Sequence, residues 1–293
     1  MSIYRLEFVT PLFSRGAYED RIEVRPASIR GQLHWWFRAL GGNPQDEKSV
    51  FGGVHGGAVA SKVVVRVRHP ALQGEWIPSL PHKPQGRSPQ DGPNAPRIAA
   101  RPGLAVELHI LTRLGGLEPR LKPSFDRALE GWLLLGTLGL RSTRAAGSFR
   151  WTSESAAPHP PASFGDYEAR CRAVLANAPL RFALLGKEYP AAEAARRVVS
   201  DTLGGRDDVA GSTDLAKLRH PLGKVFGGRK TSPLRFRIVR MNDRYRIAAV
   251  WDGRGRVTGN QPADLIGIIR LLQERKPALG DQLAESRLMT TIP

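Results

Sequence analysis

Between Ile3 and Trp151 the hydrophobic period switches between about two residues and about 3.6 in a restrictive order: strand, helix, strand, strand, helix, strand. Ile3 to Val9 alternate, with Tyr4, Leu6 and Phe8 on one face and Ile3, Arg5, Glu7 and Val9 on the other. Pro26-Ala27-Ser28 opens a helix that Gly41-Gly42 stops after Leu40, and Ser28 is the expected N-cap. Ile29, Leu33, Trp36, Phe37 and Leu40 form its apolar stripe, while Arg30, His34 and Arg38 recur at i, i+4 and i+8 on a second, basic stripe. The β-branched run Val63 to Val67 is a strand, as is the alternating Ala105 to Thr112. Ser124 to Leu138 is an apolar helix, and a short strand surrounds Phe149 and Trp151. That order is the ferredoxin-like pattern.

The chain has 293 residues, room for two domains that each bury a core. The Pro-rich stretch from Ala156 to Pro161 marks the division, giving an expected N-terminal domain at 1–157 and a C-terminal one at 158–293. Within the first, residues 69–103 are crowded with Pro and Gly and lack periodicity, which predicts a long mobile insertion. In the second, a helix around Tyr167 to Ala176, a strand Leu180 to Leu185 and a helix Ala191 to Leu203 lead to a repeated phrase. Phe226-Gly227-Gly228 precedes Ser232 and a strand from Leu234 to Arg240, much as Phe51-Gly52-Gly53 precedes Ser61 and its strand. The repeat is either a duplicated domain or a coincidence in a Gly-rich chain. Tyr245 to Trp251 is the hairpin partner across Asn242-Asp243, and Ala263 to Leu272 is the closing helix.

Charge narrows the function. The 44 Lys and Arg against 27 Asp and Glu leave a formal net charge of +17, which points to a polyanionic partner. Arg25, Arg30, Arg38, Arg141, Arg144, Arg229 and Arg237 stand among a set in which Arg, the bidentate phosphate binder, dominates. A solvated basic surface is the plain alternative. One cysteine, Cys171, excludes an intramolecular disulfide and a thiolate metal cage, and a reducing cytoplasm is the expected compartment. No apolar run is long enough to span a bilayer. Paired carboxylates, HExxH, GxSxG and Walker loops are missing, so hydrolase, protease and nucleotidase readings lack a motif.

The run Glu23-Val24-Arg25-Pro26-Ala27-Ser28-Ile29-Arg30-Gly31-Gln32-Leu33-His34-Trp35-Trp36-Phe37-Arg38-Ala39-Leu40 resembles a signature of the Cmr subunit-one family. Its members are RAMP-superfamily proteins of the type III-B CRISPR effector. Phe8-Val9-Thr10-Pro11-Leu12-Phe13, Phe51-Gly52-Gly53, His220-Pro221-Leu222-Gly223 and Ser232-Pro233-Leu234 follow in the family's order. His34 stands where the family usually has Arg. The loop from Gly139 to Phe149 is similar to the family's Gly- and Arg-rich pattern but carries Ala145-Ala146 in place of part of its Arg-Gly step. The resemblance implies an α+β fold of two tandem ferredoxin-like, RRM-like domains and a non-catalytic role on the 3′ portion of a CRISPR guide RNA in antiviral defence. It implies guide RNA and other Cmr-complex RAMP subunits as partners, leaves target RNA open, and requires no cofactor, metal or membrane.

The residues carry the same reading. A helix entrance at Ser28-Ile29-Arg30-Gly31 offers N–H groups and the positive dipole end to a phosphate, with Arg25 beside it. Arg30, His34 and Arg38 extend that surface, and Trp35, off the apolar stripe, is placed to stack on a base or a neighbouring subunit, while Trp36 is core. Arg141, Arg144 and Arg150 occupy or flank the glycine loop and meet a backbone without reading sequence. The insertion's His82, Lys83, Arg87, Arg97 and Arg101 either order on RNA or a subunit or form a passive loop. Two other classes stay open: a metal-independent endoribonuclease that processes guide RNA, with His34 or His55 as base, and a scaffold whose basicity serves acidic protein neighbours.

Overall fold

A computed structural model describes residues 1–16, 21–54, 56–69, 72–79, 96–113, 115–154, 156–204, 232, 234–252 and 279. Its elements are β1 (Ser2–Phe8), α1 (Pro26–Ala39), α2 (Pro44–Phe51), β2 (Val63–Arg68), β3 (Glu75–Ile77), β4 (Arg97–Ala99), β5 (Ala105–Thr112), α3 (Lys122–Leu135), β6 (Phe149–Thr152), α4 (Phe164–Val174), β7 (Leu180–Leu184), α5 (Ala192–Gly204), β8 (Leu234–Met241) and β9 (Arg244–Asp252).

The first sheet has the order β2-β5-β1-β6, antiparallel throughout. Each half of the strand, helix, strand pattern thus interleaves with the other, which is the ferredoxin-like arrangement expected from the sequence. Register puts Tyr4, Leu6 and Phe8 beside Leu108, Val106, Trp151 and Phe149 on the face that α1 and α3 cover. The opposite face carries Ile3, Arg5, Glu7, Arg66, Arg68, Glu107, His109 and Arg150.

The second sheet, β7-β9-β8, is covered on both faces. Phe182, Val239, Ala248 and Val250 join the first core through α4, while Phe236, Ile238, Ile247, Ala249 and Trp251 meet α5 at Ala195 and Val199. A strand buried on both sides needs no alternation, which is why Ile247 to Trp251 reads as an unbroken apolar run. The β8–β9 hairpin turns at Asn242, whose φ of 52° Asn tolerates. The linker is pinned to the first sheet, because the Trp151 indole donates to the Pro158 carbonyl at 3.0 Å and the Tyr4 hydroxyl to that of Ala157.

The two sheets meet at the Gly139–Gly147 loop. Ser148 Oγ accepts from the Ile238 N–H at 3.0 Å and donates to the Ala145 carbonyl at 2.9 Å, which also accepts from Thr10. Gly147, at φ 66°, is so tightly placed that a Cβ there would lie 1.8 Å from the Leu138 carbonyl oxygen.

Two expectations are corrected. Residues 69–103 are not devoid of regular structure, because β3 and β4 pair antiparallel at the insertion's base. Three-residue strands are too short to show a period, so Pro and Gly dominated the sequence signal. Ser28 does not cap α1: the N-cap is Arg25, extended and without a side-chain cap, and Ser28 is the third helical residue. Pro26 explains the earlier start, since its fixed φ and missing N–H suit the first helical position. The helix α2 was not anticipated at all. Asn43 caps it, accepting from the Asp46 N–H at 2.8 Å, and Gly52 of the first Phe-Gly-Gly phrase ends it at φ 77°.

The repeat has a shared local geometry: Ser61 Oγ donates to the Val63 carbonyl at 2.7 Å and Ser232 Oγ to that of Leu234 at 2.9 Å, each at a strand's start. The second Phe-Gly-Gly, Arg229, His220 to Gly223 and the closing helix lie outside the described residues, as do His55, His82, Lys83 and Arg87.

Candidate nucleic-acid interface

The basic stripe of α1 faces α2. The Arg30 guanidinium donates to the Phe51 carbonyl, so it is drawn away from the helix entrance. His34 Nδ1 lies 2.6 Å from Glu47 Oε1 with its ring stacked on Phe51 at 4.1 Å, and Arg38 Nε is 3.6 Å from the same carboxylate oxygen. Burial lowers the His34 pKa more than the Glu47 hydrogen bond raises it, with Arg30 and Arg38 adding to the depression. The imidazole is thus neutral near pH 7. At the entrance itself Arg25, Ser28 and Gly31 are exposed, but the Ser28 and Ile29 N–H groups already bond the Arg25 carbonyl at 3.0 and 3.3 Å.

Trp35 is half-buried and turns to the other side of α1. Its ring meets Trp36 edge to face at 5.0 Å, and the Arg235 guanidinium of β8 lies over it at 4.2 Å. Arg235 has no hydrogen-bond or carboxylate partner among the described residues, and burial lowers its pKa. Sequence reasoning missed it. The signal was Arg235 and Arg237 two apart in a strand of apolar neighbours, but that pattern suggests an open face, whereas Arg237 is buried at 4% exposure. Its guanidinium donates to the Gly136 carbonyl at 2.8 Å and to that of Phe149, so it adds to the formal charge without being open to a polyanion.

The glycine loop lies beside this group, since the Phe236 N–H donates to the Thr143 carbonyl at 3.3 Å and Arg144 bridges Phe236. Its backbone is less available than the sequence suggested: the N–H groups of Leu140, Arg144, Ala146 and Gly147 bond Phe13, Arg141, Arg141 and Pro11 carbonyls. Ala145 and Ala146 are fully buried, so the departure from the family pattern is a packing feature. Arg141, at φ 59°, stands beside Arg97 of β4, and desolvation together with that like charge lowers its pKa. Neither Arg141 nor Arg97 has a carboxylate partner among the described residues. Arg150 is elsewhere, on the open face of the first sheet, 2.7 Å from Glu7.

The expected residues therefore do not form one group. Arg141 and Arg144 lie on the glycine loop, the first beside Arg97; Trp35 packs under Arg235 of β8; Arg30, His34 and Arg38 lie on the α2 side of α1, with Arg25, Ser28 and Gly31 at its entrance; Arg150 is on the open face of the first sheet. Cys171 is buried, its thiol pushed up to about 12 by desolvation, which removes it as a nucleophile. Among the described residues no His, Cys, Asp and Glu group could hold a metal, and no helix is long and apolar enough to cross a membrane.

Residues 5–150 match the family model of the RAMP superfamily. A 41-residue stretch is 51% identical to CRISPR system Cmr subunit Cmr1-2 of Pyrococcus furiosus, covering 14% of this chain and 22% of that relative. The apo crystal structure of Cmr1 from Pyrococcus furiosus superposes with a TM-score of 0.57 at 17% identity, over 86% of this chain and 88% of that one. A chain of a type III-B Cmr-beta complex bound to cognate target RNA and AMPPnP gives 0.58 at 10% identity, over 85% and 93%. At these identities the likeness to solved structures is one of fold.

Proposed function

The chain belongs to the RAMP superfamily, and on that premise we propose that it is a non-catalytic, RNA-binding subunit of a cytoplasmic type III-B (Cmr) CRISPR effector. Guide RNA, through its 3′ portion, is the first partner in this reading, with other RAMP subunits beside it and target RNA as a further contact. The observation that carries it is Arg141 standing beside Arg97, two like charges without a carboxylate partner among the described residues. Unpaired guanidinium groups repel one another, and a polyanion relieves that cost. The α1 group of Arg25, Ser28, Arg30, Gly31, His34 and Arg38 extends the surface. Division of the chain at 157/158 belongs to the same proposal.

Phosphate contacts position RNA without reading it, so Arg141→Gln is expected to weaken binding by a similar factor on unrelated sequences. Fluorescence anisotropy on two guide RNAs of different sequence tests this. A change in sequence preference at unchanged affinity sinks the phosphate role, and affinity flat in salt favours the protein-scaffold reading. One observation favours a second reading: the neutral His34 with its Nδ1 on the Glu47 carboxylate has the geometry of an oriented general base. Incubating the same RNAs in chelator decides it, because discrete cleavage lost in His34→Ala would make the protein a metal-independent endoribonuclease.

A further inference from the structure

The open face of the first sheet is not used by the proposed interface, yet it carries its own basic row. Arg68, Glu107 and Arg5 sit directly opposite one another across β2, β5 and β1, and Arg66 lies one pleat away opposite His109. Arg5, Arg66 and Arg68 are exposed or nearly so, and none has a hydrogen-bond or ion-pair partner among the described residues. Neighbouring strands are about 4.8 Å apart and alternate residues about 6.7 Å, so the backbone positions of the three arginines form a spaced triangle on this face. Ile3, 38% exposed, completes the patch with an apolar surface beside them.

A cleft of about 580 Å³ opens in this face, lined by Arg5, Arg68, His69, Gly103 and Glu107 among others. That volume is in the range of a small-ligand site. The Glu107 side chain is 55% exposed, and its nearest partner, His109 Nε2, is 3.3 Å away.

We propose that this face is a second contact surface for single-stranded RNA, with Arg5, Arg66 and Arg68 on phosphates and one nucleotide seated in the cleft. There the Glu107 carboxylate accepts from the base's exocyclic amine. An acidic protein segment fits less well, because Glu107 stands in the middle of the arginines and repels carboxylates, whereas it pairs with a ligand carrying both phosphate and N–H donors. Carboxylates read the cytosine amine in this way, and uracil offers only a carbonyl there.

The test uses the full chain, oligo(C) and oligo(U) RNA, and anisotropy across a salt series. The triple variant R5Q/R66Q/R68Q is expected to lose affinity at least tenfold and to reduce the salt slope by about two, as loss of three phosphate contacts to a single strand requires. Wild type is expected to favour oligo(C) by about tenfold, and Glu107→Gln to abolish that preference. Unchanged melting temperatures check that the variants fold. Full affinity in the triple variant overturns the proposal, as does loss of a protein neighbour with RNA binding intact; a base preference indifferent to Glu107 overturns the cleft's role. Loss of binding in Arg141→Gln but not in the triple variant would sink this surface and leave the seam reading standing, while no loss in either would sink both.

Discussion

The two sheets use the same residue type in opposite ways. On the first, Arg5, Arg66 and Arg68 stand on an uncovered face and are left unpaired among the described residues. Around the second, Arg237 is 4% and Arg196 1% exposed, and both are committed to the protein. Arg237 donates to Gly136 and Phe149 carbonyls and lies 4.6 Å over the Phe149 ring, while Arg196 donates to Ser79 at 3.2 Å and pairs with Glu193. Burial lowers the pKa of both. The difference follows from layers: a sheet with helices on both faces leaves little solvent for a guanidinium, so Arg237 finds carbonyls and Arg235 the Trp35 ring. A formal charge of +17 therefore overstates what a polyanion can reach.

The comparison breaks most severely at the seam. Gly147→Ala combines a left-handed φ with a Cβ 1.8 Å from a backbone oxygen, and its expected cost is about 4 kcal/mol, from backbone strain and overpacking together. Urea denaturation measures it. A near-neutral result would mean that the two sheets are not joined through this loop as described. Next comes Arg237→Met, which keeps the volume and orphans two carbonyls, at an expected cost of about 2–4 kcal/mol. The same variant should bind RNA normally per folded molecule. If Arg237→Met instead kept its stability and lost RNA affinity, the contrast between structural and ligand-facing arginines would be wrong.

How much of this was legible beforehand varies with the physical signal. The ferredoxin-like order came from period alone, because Tyr4, Leu6 and Phe8, or Ile29, Leu33 and Trp36, repeat over enough turns to fix both element and face. The helix α2, only eight residues long and mostly polar, has no such stretch. Arginine function was the least legible. Arg141 on a glycine loop reads as a contact and is unpaired, but Arg30 reads the same way and is tied to Phe51, and Arg235 and Arg237 differ in role two residues apart. Which partner each one meets depends on residues distant in sequence, such as Gly136 for Arg237 or Trp35 for Arg235, and local patterning contains no trace of them.

The smallest expected effect concerns which side of this contrast His34 falls on. Its folded pKa lies below the ordinary 6.5, with desolvation as the largest cause. Below about pH 6.5 the unfolded chain therefore binds the proton that the folded one resists. Stability is full above that range and falls as pH drops toward the folded pKa, then levels off. The groups facing the ring are Glu47 and Phe51 of α2 and, on its own helix, Arg30 and Arg38. Thermal melts at pH 7.5 and 5.5 should show wild type losing more stability than His34→Gln, which has no proton to take up. Equal losses would mean that the imidazole is solvated and free to carry charge, and would move His34 from the packed residues to the exposed cations that await a phosphate.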